Sequence, residues 1–172
     1  MADNTEVPGS ALGVADRPSG QDGLRVGDLR ALARALGAPP DHRHQAEVCR
    51  ELVAAAGRAG NTEARAEGLH LLGYACTELG RFAEAREAYE QAVEAFHALG
   101  ATDRELNARQ GLVNALQMLG EPEAALGHAQ QVIASGDWFR RCAGLIATGG
   151  IQEQLGRYEQ ALVHLAEVER LL

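Results

Sequence analysis

Residues 79–85 (LGRFAEA), 119–125 (LGEPEAA) and 155–161 (LGRYEQA) spell nearly the same turn three times. A copied turn constrains a chain strongly, because a repeated unit cannot bury its apolar face alone and must stack on its neighbours. Gly80 and Gly120 are 40 residues apart and Gly120 and Gly156 are 36 apart; an earlier Leu36-Gly37 lies 43 before Gly80. Two helices per unit at such a period describe a solenoid. In each copy the Leu ends one helix on its buried side, and the Gly takes the left-handed conformation that stops it. Phe82 and Tyr158 are expected to cover the corner. Ala85, Ala125 and Ala161 let the second helix press close to the first.

Composition agrees with helices. Of 172 residues 46% are hydrophobic but only 4% aromatic, so the apolar mass is Ala and Leu, which favour helix over strand. No segment alternates apolar and polar residues long enough to suggest a strand. The sequence predicts helices from Leu24 to Gly37, from Asp41 to about Arg58, and then in pairs: 62–79 with 83–98, 103–119 with 122–134, 138–155 with 158–172. Asp41 and Asp137 are expected caps, Thr102 with Glu105 a capping box, and Pro122 a first-turn proline. The fold class is all-α, a right-handed α-solenoid of antiparallel helix pairs. The predicted domains are a disordered tail over 1–23, an N-terminal helix pair over 24–60 that is either a degenerate repeat or a cap, and three units within 61–172 at about 62–98, 102–134 and 137–172.

Several function classes are excluded. All 16 basic residues are Arg, so a Walker-type phosphate loop and Schiff-base chemistry through Lys both lack their residue. The net charge of −8 argues against a general binder of nucleic acid or anionic membrane. The cysteines, Cys49, Cys76 and Cys142, are far apart and odd in number, which suits a reduced, cytoplasmic compartment. No apolar run reaches the roughly 18 residues of a membrane span, and the acidic N-terminus has no secretory pattern. No nucleophile, base and orienting acid group together, so no catalytic residue, cofactor or metal is expected. His128 and His164 share a repeat register without a third ligand, and "HRH" at His42–His44 fits no standard zinc spacing. Glu84, Glu87, Glu90 and Glu94 read as a solvated outer ridge.

The repeated motif resembles the tetratricopeptide repeat, in the longer units found in bacterial regulators and scaffolds. Unit one carries Leu69, Leu72-Gly73, Gly80, Phe82, Ala85, Tyr89 and Ala92, with Cys76 at the family's helix-A Tyr. Unit three carries Gly149, Gly156, Tyr158, Ala161, Leu165 and Val168; unit two departs with Val113 and Pro122. The surplus over the family's usual unit falls at "HALGATD" and "IASGDW".

The resemblance implies a scaffold whose first helices line a groove for a partner protein or peptide. The expected groove residues are Glu67, His70, Tyr74, Thr77 and Glu78 in unit one, and Asn107, Gln110, Asn114, Gln117 and Met118 in unit two. Unit three offers Ala143, Ile146, Gly150 and Glu153. Asn and Gln amides both donate and accept, as the backbone of an extended peptide requires. Asn114 matches the Asn of the family's carboxylate clamp, but that clamp's lysines are missing. A neutral or mildly basic ligand suits the groove better.

Two rival readings stand beside it. Residues 24–50 resemble two helices of a helix-turn-helix, with Arg25, Arg30, Arg34, Arg43 and Arg50, as in a transcriptional regulator. A helical pathway enzyme would have only His70, Tyr74 and Glu78. Finally, Leu162, Leu165, Val168 and Leu172 are expected to form an apolar end face that seeks a partner, with a homodimer the commonest solution.

Overall fold

In the computed structural model, residues 20–37, 41–135 and 137–172 are described, the side chains of 20–24 excepted. They form eight helices: α1 (Gly20–Ala35), α2 (His42–Arg58), α3 (Thr62–Glu78), α4 (Phe82–Ala98), α5 (Thr102–Leu119), α6 (Pro122–Ile133), α7 (Trp138–Gln154) and α8 (Tyr158–Leu171). The chain is an all-α solenoid. Each helix packs on its sequence neighbours, and α1, α3, α5 and α7 also touch in series, whereas the even-numbered helices do not touch one another by backbone approach. The odd helices are therefore the closer-spaced, inner layer. The expected tail over 1–23 lies outside the described residues except for its last residues, which start α1.

The turn that ends the helices is used more often than the three copies suggest. Gly60, Gly80, Gly100, Gly120 and Gly156 all have φ between 64° and 75°. At each, the residue after the glycine donates its N–H to the carbonyl five residues back: Asn61 to Ala56, Arg81 to Cys76, Ala101 to Phe96, Glu121 to Leu116 and Arg157 to Gln152, at 2.8–2.9 Å. This is the Schellman closure, which satisfies carbonyls that a helix end leaves free. The five accepting residues are all buried. The period is thus one helix, 20 residues from Gly60 to Gly120, and first and second helices of a unit end alike. Gly37 does not share this conformation, so the early Leu-Gly pair is not a copy.

The helix expected over 83–98 is α4, which ends at Ala98. Two expectations need correction. The capping box is not formed, since Ala101 is the N-cap of α5 and no side chain caps it. Tyr158 is 65% exposed and covers no corner. Asp41 and Asp137 do cap, accepting from the backbone of His44 at 3.1 Å and Arg140 at 3.0 Å.

Packing between layers depends on one inserted ring. Tyr89 of α4 is 4% exposed and lies between Gly73 of α3 and Gly111 of α5. A Cβ on Gly73 would meet that ring at 2.8 Å, and one on Gly111 at 2.3 Å. Helical glycine costs roughly 1 kcal/mol against Ala, and here the ring is the reason. The registers trade size: seven residues before the closing glycine stand Gly73, Val113 and Gly149, and nine residues after it stand Tyr89, Ala129 and Leu165. A large residue on one helix goes with a small one on the other, which explains Val113 in unit two.

Gly111→Ala should lower the denaturant midpoint by an amount equivalent to about 1–3 kcal/mol of overpacking. In a Tyr89→Leu background the same change should be neutral or stabilising, by up to about 1 kcal/mol of helix propensity. Equal costs in both backgrounds would show that the ring is not what the glycine accommodates.

Candidate functional site: the inner face of the odd helices

The closing glycines fix the register of the inner layer. Tyr74, Asn114 and Gly150 each lie six residues before one of them; His70, Gln110 and Ile146 lie ten before, and Glu67, Asn107 and Ala143 thirteen before. These spacings return to one face of a helix every one or two turns. The face is polar on α3 and α5 and apolar on α7, where Phe139 is 67% exposed and Ile146 54%. Trp138 stands edge-on to Phe139 at 6.1 Å between ring centroids. That aromatic pair was not among the expected site residues, although two consecutive aromatics opening a helix in so aromatic-poor a chain were a visible signal.

A cleft of about 560 Å³ lies on this face, lined by His70, Tyr74, Thr77 and Glu78 of α3, Asn107, Gln110, Gly111, Val113, Asn114 and Gln117 of α5, Ala147 of α7 and Tyr89 of α4. Every expected residue of units one and two is there except Glu67 and Met118. Tyr89 is an addition: its ring passes between α3 and α5, so a residue of the outer layer forms the floor of the inner one. Burial pushes its phenol up to about 12, with a hydrogen bond to Thr77 opposing, so it meets the cleft as a neutral hydroxyl. Gly73 and Gly111 were the sequence signals for it.

Glu67 belongs to the frame. It accepts from Arg30 Nε at 2.6 Å and also pairs with Arg34, both on α1. Its neighbour Glu63 accepts from Arg30 at 3.2 Å and from Arg104 of α5 at 2.9 Å. Arg140 of α7 continues the chain to Asp103 at 2.8 Å. Ion pairs therefore join the last turns of α1 to the starts of α3, α5 and α7. The outer layer has its own: Arg50 pairs with Glu84, and Arg86 with Glu121 at 3.0 Å. The expected solvated ridge loses Glu84, which Arg50 holds below its ordinary carboxylate value through a hydrogen bond.

His70 is held edge-on to Tyr89 and Phe96, at 5.8 and 6.3 Å between centroids. Burial lowers its pKa, with Glu67 opposing, so it is a neutral imidazole at neutral pH. Burial and then Arg109 lower His128 in the same direction. The thiols of Cys49 and Cys76 are pushed up to about 12 and about 11, mainly by burial, and are poor nucleophiles. Among the described residues no three His, Cys, Asp or Glu converge as a metal would need, and no helix is long and apolar enough to cross a membrane.

The family model for the tetratricopeptide repeat matches residues 64–137. These residues are tetratricopeptide repeats. The solved structures similar to the chain carry the same architecture. A candidate kinesin light chain of Podosopora anserina with nearly identical TPR-like repeats has a TM-score of 0.74 at 22% identity, over 86% of this chain and 74% of that one. BtubC (BKLC) from P. vanneervenii has a TM-score of 0.79 at 18% identity, over 87% of this chain but only 64% of that one. No curated protein matches in sequence. Tetratricopeptide repeats generally mediate protein–protein interaction, and the fold is typically a non-catalytic scaffold.

The histidines make a pH prediction. Because His70 and His128 are depressed in the folded chain, the unfolded chain takes up protons first. Their contribution is whole above the ordinary value of 6.5 and is lost as the pH falls from there toward the folded-state values. Glu63, Glu84 and Glu105 lie below the ordinary 4.5 and stay ionised over this window. Urea midpoints should fall between about pH 7.5 and pH 5.5, and His70→Gln with His128→Gln should flatten that slope. A slope unchanged in the double variant would refute the assignment.

Proposed function

We propose that the chain is a non-catalytic, cytoplasmic adaptor that binds an extended segment of a partner protein across its inner face. The observation carrying this reading is the change of character across one continuous surface. Gln110, Asn114 and Gln117 have no side-chain hydrogen bond among the described residues, and two of them are exposed. They stand beside Tyr74, which is 44% exposed. One helix further, Ile146 and Phe139 offer bare apolar surface. A backbone takes its hydrogen bonds from the amides, and an apolar or aromatic side chain of the same segment packs on α7. Glu78 in the cleft and the net charge of −8 disfavour a strongly acidic segment.

The transcriptional-regulator reading is weakened by the pairing of its arginines. Arg25 is paired with Glu51, Arg30 with Glu63 and Glu67, Arg34 with Glu67 and Arg50 with Glu84. Each of these four charges is met by a carboxylate of the same chain. The packing of α1 on both α2 and α3 follows the order of α3 on α4 and α5, which supports reading residues 24–60 as the opening helix pair of the solenoid. The enzyme reading has His70 neutral and Tyr74 edge-on to His42 at 5.6 Å, and the Thr77 hydroxyl beside them donates to the Gly73 carbonyl at 2.9 Å.

Peptides selected from a displayed random library on the wild-type chain provide the test. Tyr74→Ala with Asn114→Ala should weaken their binding by about tenfold or more, on the order of 1.4 kcal/mol, and leave the thermal midpoint nearly unchanged. Ile146→Glu should discriminate against the selected peptides with the most apolar anchors. Unaltered affinities in all variants would remove the inner face from recognition. Salt-sensitive shifting of random duplex DNA would favour the regulator instead.

A further inference from the structure

Each second helix is covered by the first helix of the next unit: α4 by α5, and α6 by α7. On α4 the residues nine, thirteen and sixteen past Gly80 are Tyr89, Val93 and Phe96, all buried. The same places on α8, counted from Gly156, are Leu165, Glu169 and Leu172. Leu165 is 45% exposed and Leu172 87%, and Glu169 is exposed. Tyr158 and Leu162 continue this stripe beside a groove of about 360 Å³ floored by Gly149, Gly150 and Ala161. Val168, expected on this face, is buried with Cys142 and Leu145 instead. A further repeat laid on α8 would have to cover the Glu169 carboxylate at the place where α4 has a valine.

We infer that α8 pairs with α8 of a second copy of this chain, antiparallel about a two-fold axis at Leu165. The sequence of the stripe is complementary to its own reversal. Tyr158 is seven residues before Leu165 and Leu172 seven after, so each faces the other's copy. Glu159 is six before and Arg170 five after. They are eleven residues apart, about three helical turns, and so lie on one flank of the stripe. A two-fold antiparallel pair apposes like flanks, which brings Glu159 to Arg170 of the second copy, twice. Glu169, four after the axis, falls within a turn of Tyr158 of the second copy, whose hydroxyl can donate to it. The apolar contacts, both charge pairs and the awkward carboxylate are all answered by one register. The cleft on α3 and α5 takes no part and stays open in the dimer.

Sedimentation across a dilution series should show reversible dimerisation of the wild type. Leu165→Glu should give a monomer, with circular dichroism showing the helices intact. Glu159→Arg or Arg170→Glu alone places like charges together and should raise the dissociation constant by about tenfold. The two together exchange the charges and should restore it. Leu165→Cys should cross-link to its own copy on mild oxidation, since the native cysteines are buried. A wild-type monomer at every attainable concentration would overturn the pairing. A dimer indifferent to Leu165→Glu, or a double exchange that fails to restore association, would overturn it equally.

Discussion

A glycine at positive φ closes helix after helix, and the arrangement of the solenoid rests on it. The Schellman closure stops a helix within one residue and turns the chain back in the same sense each time. Five closures of one geometry, with φ of 64° to 75°, make successive helices antiparallel and place equivalent residues of every unit at equivalent depths. The residue five before the next amide is always inside the core. Regularity of the turns converts a sequence register into a spatial one. It is why Tyr74, Asn114 and Gly150 can be compared as rungs of one ladder.

Within that frame the units differ in how they fill the same volume. Unit one fills it with the Tyr89 ring and removes two Cβ atoms to admit it. Unit two reverses the exchange, with Val113 facing the shorter side of Ala129. Unit three fills it least well. Eight and four residues before its closing glycine, where unit one has Leu72 and Cys76, it carries Thr148 and Gln152. Both are buried, and Thr148 Oγ1 and Gln152 Oε1 have no hydrogen-bond partner among the described residues. A buried acceptor or hydroxyl without a partner costs about 1–3 kcal/mol. With Cys142, Leu145 and Val168 as its buried core, the α7–α8 pair is the part of the array with most to gain from an added surface.

The sequence made the fold class and the helix pairs readable because leucine, glycine and alanine recur together at the three first-helix closures. The second-helix closures were less visible. "AAGRAGN" and "HALGATD" share the glycine but not the heptapeptide, so only the backbone shows that they are the same turn. Most cleft residues were readable from helical spacing alone, since that spacing decides which side chains share a face. The ion pairs of Glu67 were not readable, because its partners, Arg30 and Arg34, are more than thirty residues away and invisible to a periodicity argument. Tyr89 was missed as a cleft residue for the opposite reason. It was seen as a core position, and a core ring reaching the other layer requires knowing which glycines face it.

The absence of lysine, read from the sequence as an excluded chemistry, has a structural counterpart. A guanidinium presents several donors in a fixed fork, where an ammonium is a compact point charge. Arg30 uses the fork to hold Glu63 and Glu67 together, and Arg140 reaches Asp103 at 2.8 Å and Asn107 at 3.4 Å from different nitrogens. Each exposed pair contributes little, about 0–1 kcal/mol. Their larger effect is on what the inner face presents. The charges at the end of α1 and at the starts of α3, α5 and α7 cancel one another along the rim. What is left toward the middle of the groove is mostly uncharged: amides, a buried phenol and a neutral imidazole, with Glu78 as the carboxylate of the cleft and apolar surface beyond. Such a face distinguishes ligands by hydrogen-bond geometry and by the fit of an apolar side chain, with charge reduced to a general bias against acidic partners.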